Sequence, residues 1–285
     1  MAKFNKWINN FDIEKILNLE KEGKNIKEIS KILQIPNRRL GEMLKDKGII
    51  LNSLQQTIEK NNNFFNNIDN EVKAYLLGYT LADGSVIIEP KKKNGVIYSY
   101  SKRLSYVVSI DDKEVIDLLR DNIAPGANIR KFHNKKGAIN RKESLCLRFS
   151  SSKIIDDLIK LNIRPNKTYD ITFKFDFNSM DKSLIRHFIR GFFDGDGHYR
   201  KGSLQFVSTS LPFMEQLIEY MKSEIPNITF RCNKIKGKTV DYYKLYFNTE
   251  NGIYKDVYNL FYKDSNYYLS RKKNKFNIEN TVLTN

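Results

Sequence analysis

Two aspartates, each followed by glycine, end two similar stretches of this sequence. The first stretch, Leu76–Gly84, reads Leu-Leu-Gly-Tyr-Thr-Leu-Ala-Asp-Gly, and the second, Ile189–Gly197, reads Ile-Arg-Gly-Phe-Phe-Asp-Gly-Asp-Gly. When the stretches are aligned without gaps, Asp83 falls on Asp196. Each stretch follows an apolar run at helical spacing, so the carboxylates are predicted to lie at two helix C-termini, with the glycines as helix caps.

The small residues in each stretch predict how these two helices meet. Gly78 and Ala82 share one helix face, as do Gly191 and Gly195. Such faces let two helix backbones approach closely. Two carboxylates brought together at the negative ends of two helix dipoles repel each other, and a divalent cation would relieve that repulsion. The sequence therefore predicts a metal site formed by both aspartates, completed by the backbone carbonyls of Ala82 and Gly195 at the helix ends.

The paired stretches resemble the motifs of the LAGLIDADG homing endonucleases, whereas either stretch alone is also typical of an ordinary core helix. The eighth-position acid, which that family uses for metal, is present in both copies as Asp83 and Asp196. The sixth position differs, since it is Leu81 in the first copy and Asp194 in the second. The resemblance implies a site-specific endonuclease that hydrolyses double-stranded DNA with Mg²⁺, or another divalent cation such as Mn²⁺, held by the two acids.

The same resemblance implies one basic residue from each half of the protein beside the acids. The segment Arg164–Thr168 resembles the family's Pro-x-Lys element, which makes Lys167 the expected basic residue of the first half. The matching place in the second half holds Arg271, Lys272 and Lys273. We expect Lys272 to serve there, with its two neighbours as alternatives.

The elements that must position these residues follow one order twice. Each predicted motif helix, 70–83 or 181–196, is followed by two strands, a helix, two strands and a final helix. The clearest hairpin signal is Asn94-Gly95. The order predicts an α+β fold with two pseudo-symmetric αββαββα halves, residues 70–176 and 177–285, each with an antiparallel sheet. In the resembled family such sheets form a saddle over DNA.

Polar side chains on the hairpin after each motif helix are candidates for contacts with bases and phosphates, because a twisted ribbon can enter the major groove. The first hairpin is much longer than the second, so we expect an asymmetric target contacted more extensively by the first half. The strand register, which the sequence does not determine, decides which side chains face DNA. The candidates are Lys91, Lys92, Lys93, Tyr98, Tyr100, Lys102 and Arg103 on the first hairpin, and Arg200 and Gln205 on the second.

Residues 1–48 are predicted to form a separate helical module, followed by a polar linker at 49–69. Three short amphipathic helices are expected, the second beginning at a capping box, Asn25–Glu28. The pattern resembles a helix-turn-helix of the resolvase type, although a small three-helix unit with solvated arginines is the alternative. The residues that would begin the recognition helix are Asn37, Arg38 and Arg39.

The charge of the chain indicates a polyanionic partner. The sequence has 285 residues, a formal net charge of +16 and 40% hydrophobic residues, enough for a substantial core. Such an excess of positive charge is typical of nucleic-acid binding. A membrane surface is the competing partner, but no stretch is typical of a spanning helix. The N-terminal sequence lacks the apolar core of a secretion signal, so we expect a cytoplasmic or organellar protein.

These observations together predict a monomeric, intron-encoded homing endonuclease that cuts both strands of a long asymmetric DNA site. Two alternatives share the fold. One is an intron maturase that binds RNA and carries vestigial acids, and the other is a DNA-binding regulator that does not cut. Retention of both Asp83 and Asp196 favours an enzyme over either alternative.

Overall fold

The computed structural model divides the chain into two compact units, Met1–Glu59 and Lys60–Asn285. The predicted linker, 49–69, spans this boundary, and its residues 50–58 lie outside the part of the chain that the structure describes. The described residues are 13–22, 24, 26–49, 59–132, 143–200 and 202–276.

The first unit contains three short helices, as the sequence predicts. They are α1 (Ile13–Lys21), α2 (Ile26–Ile32) and α3 (Asn37–Asp46). Their amphipathic pattern has a physical cause, because one apolar stripe from each segment meets in a small buried core. That core consists of Ile16, Ile29, Ile35, Leu40 and Leu44. The predicted capping residue Asn25 lies outside the described residues.

The second unit begins with the first αββαββα half, and the predicted order of elements is confirmed. The turn between its first two strands is Asn94-Gly95, where both residues have positive φ, 50° and 81°, as the two-residue hairpin signal requires. The elements are α4 (Glu71–Asp83), β1 (Gly84–Lys93), β2 (Val96–Ser109), α5 (Lys113–Ile123), β3 (Ile129–Phe132), β4 (Ser144–Ser150) and α6 (Ser152–Lys160).

The second half of this unit repeats that order. A further short helix, α10, follows the repeat and carries the basic run that the sequence analysis singled out. The elements are α7 (Lys182–Asp196), β5 (His198–Arg200), β6 (Ser203–Ser208), α8 (Leu211–Glu224), β7 (Phe230–Ile235), β8 (Tyr242–Asn248), α9 (Ile253–Phe261) and α10 (Ser270–Lys273).

Both sheets are antiparallel and have the same topology. The strand order is β1-β2-β4-β3 in the first sheet and β5-β6-β8-β7 in the second. The two halves are therefore matched in both element order and pairing, and the α+β fold predicted from the sequence is confirmed. Within the described residues, no helix combines the length and apolar character needed to cross a membrane.

The glycines that end the two motif helices are required for space and not for left-handed backbone. Gly84 has φ −73° and Gly197 has φ −85°, both extended conformations that any residue can adopt. The prediction that both glycines cap their helices is confirmed, because the backbone N–H of Gly84 donates to the Thr80 carbonyl and that of Gly197 to the Phe193 carbonyl. A Cβ atom on Gly84 would lie 2.6 Å from the Thr80 carbonyl oxygen, and one on Gly197 would lie 2.1 Å from the Phe193 ring.

Candidate functional site

The two motif helices, α4 and α7, touch through backbone at a glycine on each. A Cβ atom built on Gly78 would lie 1.9 Å from the Phe188 carbonyl oxygen, and one on Gly191 would lie 2.0 Å from the Tyr75 carbonyl oxygen. Tyr75 and Phe188 each precede their own glycine by three residues, so the contact is symmetric between the halves. The predicted close crossing of two glycine-bearing helices is confirmed.

One turn further along, the helices bring the candidate acids together. A Cβ atom on Gly195 would lie 2.3 Å from the Ala82 Cβ and 3.4 Å from Asp83 Oδ2. The Asp83 carboxylate therefore lies against the last turn of the opposite helix. Burial, and secondly the charge of Asp83, raise the pKa of Asp196 to about 6. Burial also raises the pKa of Asp83, so the ionised pair is electrostatically unfavourable without a compensating cation.

Two lysines stand beside these acids, one from each half. Lys167 Nζ donates to the Ala82 carbonyl at 2.6 Å, and burial lowers its pKa against the opposing charges of Asp196 and Asp83. Lys272 Nζ donates to the carbonyls of Phe193, at 3.0 Å, and Gly197. The Lys272 residue is only 3% exposed.

Burial also lowers the pKa of Lys272 to about 8, and its two alternatives in the basic run are engaged elsewhere. Arg271 forms a paired interaction with Asp112, in which Nη2 donates to Oδ2 at 2.8 Å. The Lys273 ammonium lies 3.9 Å from the centre of the Tyr268 ring. Of the three, Lys272 is therefore the residue whose ammonium reaches the end of motif helix α7.

The donors at the helix ends fit a hard divalent cation. Among the described residues, no three His, Cys, Asp or Glu side chains cluster as a metal-binding group. The two carboxylates would thus be joined by backbone carbonyls, water and substrate oxygens, which is the ligand set that Mg²⁺ favours. Of the two carbonyls predicted as ligands, that of Ala82 already accepts a hydrogen bond from Lys167. The carbonyl of Gly195 lies in the last turn of α7, where helix carbonyls lack intrahelical partners.

Asp194 is a functional candidate that the sequence analysis noted only as a departure between the motifs. Its side chain is buried, with the residue 1% exposed. It accepts hydrogen bonds from the hydroxyls of Tyr75 and Tyr262, both at 2.9 Å, and from the backbone N–H of Leu269 at 2.7 Å. Asp194 is therefore directed toward the segment that leads to Lys272.

Arg190 is a second residue that the sequence analysis missed. It is fully buried at 0% exposure, and its Nη2 donates to Glu71 Oε1 at 2.8 Å. Its Nε donates to the Tyr267 carbonyl at 2.8 Å, and its Nη1 to the Phe261 carbonyl at 2.8 Å and to Ser265 Oγ at 2.6 Å. The sequence did contain a signal for this role, because Arg190 lies within an apolar helical run and next to the crossing glycine, Gly191.

The strand register of the first sheet places the candidate DNA-contacting residues of hairpin β1–β2 on different faces of the sheet. Lys102 lies on the same face as the buried Leu104 and pairs with Asp156 on α6. Arg103 lies on the opposite face and pairs with Glu89 on β1. These two basic residues therefore cannot face the same groove. The remaining candidates are exposed toward the end of the hairpin: Lys91, Lys92, Lys93, Tyr98 and Tyr100.

In the second sheet, the candidates share one face. Pairing aligns His198, Gln205, Tyr246 and Arg231 in a row across all four strands. The neighbouring row contains Arg200, Ser203 and Asn248. The opposite face is apolar and buried, with Leu204, Phe206, Leu245 and Phe247 at 0% exposure.

In the first unit, the candidate DNA contacts lie at the start of α3, where all three are exposed. Arg38 Nε pairs with Glu42 Oε1 at 3.0 Å on the helix surface. Such an exposed pair contributes little to stability, so the arginine remains accessible to a stronger anionic partner. The three residues are Asn37, Arg38 and Arg39.

Comparison with known proteins finds a family model and solved structures to which this chain is similar. A family model described as a LAGLIDADG-like domain matches residues 183–253. The chain is similar to the solved structure of I-DmoI in complex with DNA and Ca, with 15% identity over 67% of this chain and 88% of the other, and a TM-score of 0.44. It is similar also to I-SmaMI bound to an uncleaved DNA target with calcium ions, with 14% identity, 66% and 81% coverage, and a TM-score of 0.41. No curated protein matches its sequence.

The matched residues run from α7 through the second sheet to the start of α9, and they include Asp194, Asp196 and the crossing glycine Gly191. Helix α4 and the elements that follow it repeat the order and strand pairing of this segment. Residues 183–253 are similar to the LAGLIDADG-like domain model, and the first half of the unit has the same order of elements.

Proposed function

We propose that this chain is a site-specific DNA endonuclease that hydrolyses both strands of its target with divalent cations held by Asp83 and Asp196. The observation that carries the proposal is the pair of carboxylates brought together at the helix crossing, where Asp83 is half-buried and Asp196 is exposed. Desolvation raises the pKa of both carboxyls. A lysine donates to backbone carbonyls at each helix end, the half-buried Lys167 at one and the buried Lys272 at the other. Two carboxylates placed together at two helix C-termini repel each other, and a bound divalent cation would relieve that repulsion, which is the arrangement expected of a metal-dependent nuclease.

A bound Mg²⁺ or Mn²⁺ would neutralise phosphate charge and supply an activated water. The chain's own residues would orient the reaction. Asp83 and Asp196 would hold the cations against the scissile phosphates. Lys167 and Lys272 would donate through Nζ to solvent or phosphate oxygens, and the pKa of Lys272, about 8, places its proton within reach of transfer near neutral pH.

Double-stranded DNA is the proposed partner of the two sheets. The net charge of +16 favours a polyanion. The polar rows of the second sheet offer donors and acceptors of the kind that read base edges, with Gln205 and Arg231 in one row. Hairpin β1–β2 is far longer than hairpin β5–β6, which supports a target contacted unequally by the two halves. We propose that one chain, acting as a monomer, supplies both halves.

The first unit is proposed to add a second DNA contact through the N-terminal turn of α3. A helix N-terminus favours anions, and the exposed Arg38 and Arg39 add positive charge there. In helix-turn-helix proteins the first residues of the recognition helix contact base edges. The unit would extend the footprint and take no part in hydrolysis.

The deciding experiment is cleavage of a randomised double-stranded DNA library with Mg²⁺, followed by sequencing of the cut ends. On the target so identified, Asp83→Asn and Asp196→Asn should abolish double-strand cleavage while binding without metal persists. Asp256→Asn, at an exposed acid on α9, is the matched control and should cut normally.

Three outcomes would contradict the proposal. Normal cutting by either variant of the paired acids would refute their assignment as metal ligands. Sequence-specific DNA binding without cleavage by the wild-type protein would favour a regulator. Preferential binding to structured RNA, again without cleavage, would favour a maturase.

A further inference from the structure

We propose that Asp194 is a positioning residue: it fixes the segment that carries Lys272, and through that lysine it governs cleavage of one DNA strand and not the other. This inference rests on the proposed function for the role of Lys272. The placement of Lys272 by Asp194 is a separate claim that can be measured without DNA.

The Asp194 carboxylate accepts three hydrogen bonds. Leu269 lies three residues before Lys272, and its backbone N–H donates to Asp194 Oδ2 at 2.7 Å. Tyr262, just after α9, donates to Oδ1 at 2.9 Å. Tyr75, from motif helix α4, donates to Oδ2 at 2.9 Å. A single buried carboxylate thus ties both motif helices to both ends of the segment between α9 and Lys272.

Other groups, from the fully buried Arg190 to the exposed Glu114, hold the same segment. Arg190 binds the Tyr267 carbonyl, and Glu71 accepts from the backbone N–H of Asn266 at 2.8 Å. At the other end, Ser270 N–H donates to Glu114 Oε1 at 2.6 Å. The segment is therefore anchored to α4, α5 and α7 along its length. Of the residues that hold this segment, Asp194 is the fully buried one that binds closest to Lys272. Loss of a buried, charge-assisted hydrogen bond strongly destabilises the structure that it holds.

The two halves differ at the motif position that Asp194 occupies. The residue equivalent to Asp194 in the first motif is Leu81, which cannot accept a hydrogen bond. Each lysine binds carbonyls at its own helix end, Lys167 that of Ala82 and Lys272 those of Phe193 and Gly197. The segment that carries Lys272 also binds Asp194, through the Leu269 N–H. Disturbing Asp194 should therefore displace Lys272 and leave Lys167 in place, so the two strands should respond differently.

The first measurement needs no substrate. The full chain is treated with a lysine-acetylating reagent, and modification of individual lysines is followed by mass spectrometry. In the wild type, Lys272 should react slowly because it is buried. Asp194→Asn and the milder Tyr262→Phe should each raise its rate at least ten-fold, with no change at Lys167.

Tyr106→Phe is the matched control for a lost buried hydroxyl. Tyr106 is fully buried in the first half and bonds to Thr80 Oγ1 at 2.7 Å. This variant should leave the acetylation rate of Lys272 unchanged. Unchanged protection of Lys272 in Tyr262→Phe and Asp194→Asn, or an equal rise at Lys167, would overturn the proposed positioning.

The second measurement uses the target with each strand labelled separately. Tyr262→Phe and Asp194→Asn should slow the strand that Lys272→Met slows, by at least ten-fold relative to the other strand, and nicked DNA should accumulate. Combining Tyr262→Phe with Lys272→Met should slow cleavage no more than Lys272→Met alone. Equal slowing of both strands would overturn the strand-specific role.

Failure of the proposed nuclease function and failure of the positioning role of Asp194 would give different results. If Asp83→Asn still cuts, the nuclease assignment fails, while the acetylation result still decides whether Asp194 places Lys272. If Asp83→Asn is inactive but Lys272→Met cuts both strands normally, the endonuclease stands and the role of Asp194 in cleavage is refuted.

Discussion

The Cβ atom of Ala82 occupies the space in which a side chain on Gly195 would have to begin, since the two Cβ positions would be 2.3 Å apart. The two residues are equivalent positions of the two motifs, and they meet where the helices end. One methyl group fits at this point of the crossing and two do not. The small-residue pair thereby sets how closely Asp83 and Asp196 can approach.

Exchanging the two residues tests this packing. Gly195→Ala should destabilise the protein by about 1–3 kcal/mol through overpacking and reduce cleavage, because the helix ends must separate. Adding Ala82→Gly should restore most of both losses, since the pair again contains one methyl group. Urea unfolding and cleavage rates measure the two effects, and purely additive losses in the double variant would contradict the packing model.

Removal of the buried guanidinium tests the link between the motif helices. Arg190→Met should cost about 3–5 kcal/mol, because Glu71 would keep its charge in a half-buried place without its partner. Arg186→Met, at a partly exposed arginine on the same helix, should change stability by about 0.5 kcal/mol or less. Denaturant unfolding gives both values, and a loss for Arg190→Met no larger than that of the control would contradict the assigned role.

His187 should make stability depend on pH. Burial, and then the charge of Arg190, lower its pKa from 6.5 to about 4, although Glu71 opposes the shift and Arg186 adds to it. Between these two pH values the unfolded chain binds a proton that the folded chain does not, so this residue reduces stability as pH falls from 6.5 to about 4.

The measurement compares the wild type with His187→Gln, which keeps a hydrogen-bond acceptor but does not titrate. The wild type should lose stability relative to the variant when unfolding is measured below pH 6.5 and not above it. A difference in unfolding free energy that stays constant across this range would show that His187 is not buried in its neutral form.

Deletion of residues 1–48 tests the proposed DNA contact of the first unit. The shortened chain should bind its target more weakly, and its affinity should fall less steeply with salt, because fewer phosphates are contacted. At saturating protein, its cleavage rate should match the wild type. Binding titrations at several salt concentrations measure the change. Arg38→Ala and Arg39→Ala should each change affinity and salt dependence in the same direction as the deletion, by a smaller amount. An unchanged salt slope would remove this unit from the interface.

The repeated order of elements, the two motif helices and the acids at their ends could all be predicted from local patterns in the sequence. Helical periodicity, the Asn94-Gly95 turn and the four-residue spacing of Gly78 and Ala82 are local signals, and each depends on residues close in the chain. The close helix crossing also followed from sequence, because glycine in an apolar helix has few other uses.

Which polar residues act together depends on contacts between segments that are distant in the sequence. Lys272 was one of three adjacent basic residues, and contacts with Phe193, Asp112 and Tyr268 separated them. The strand register, a property of pairing between distant segments, separated Lys102 from Arg103. Asp194 acquires its partners from Tyr75 and Tyr262, which lie far away in sequence. A buried polar residue is defined by the groups that satisfy it, and those groups come together only in the folded chain.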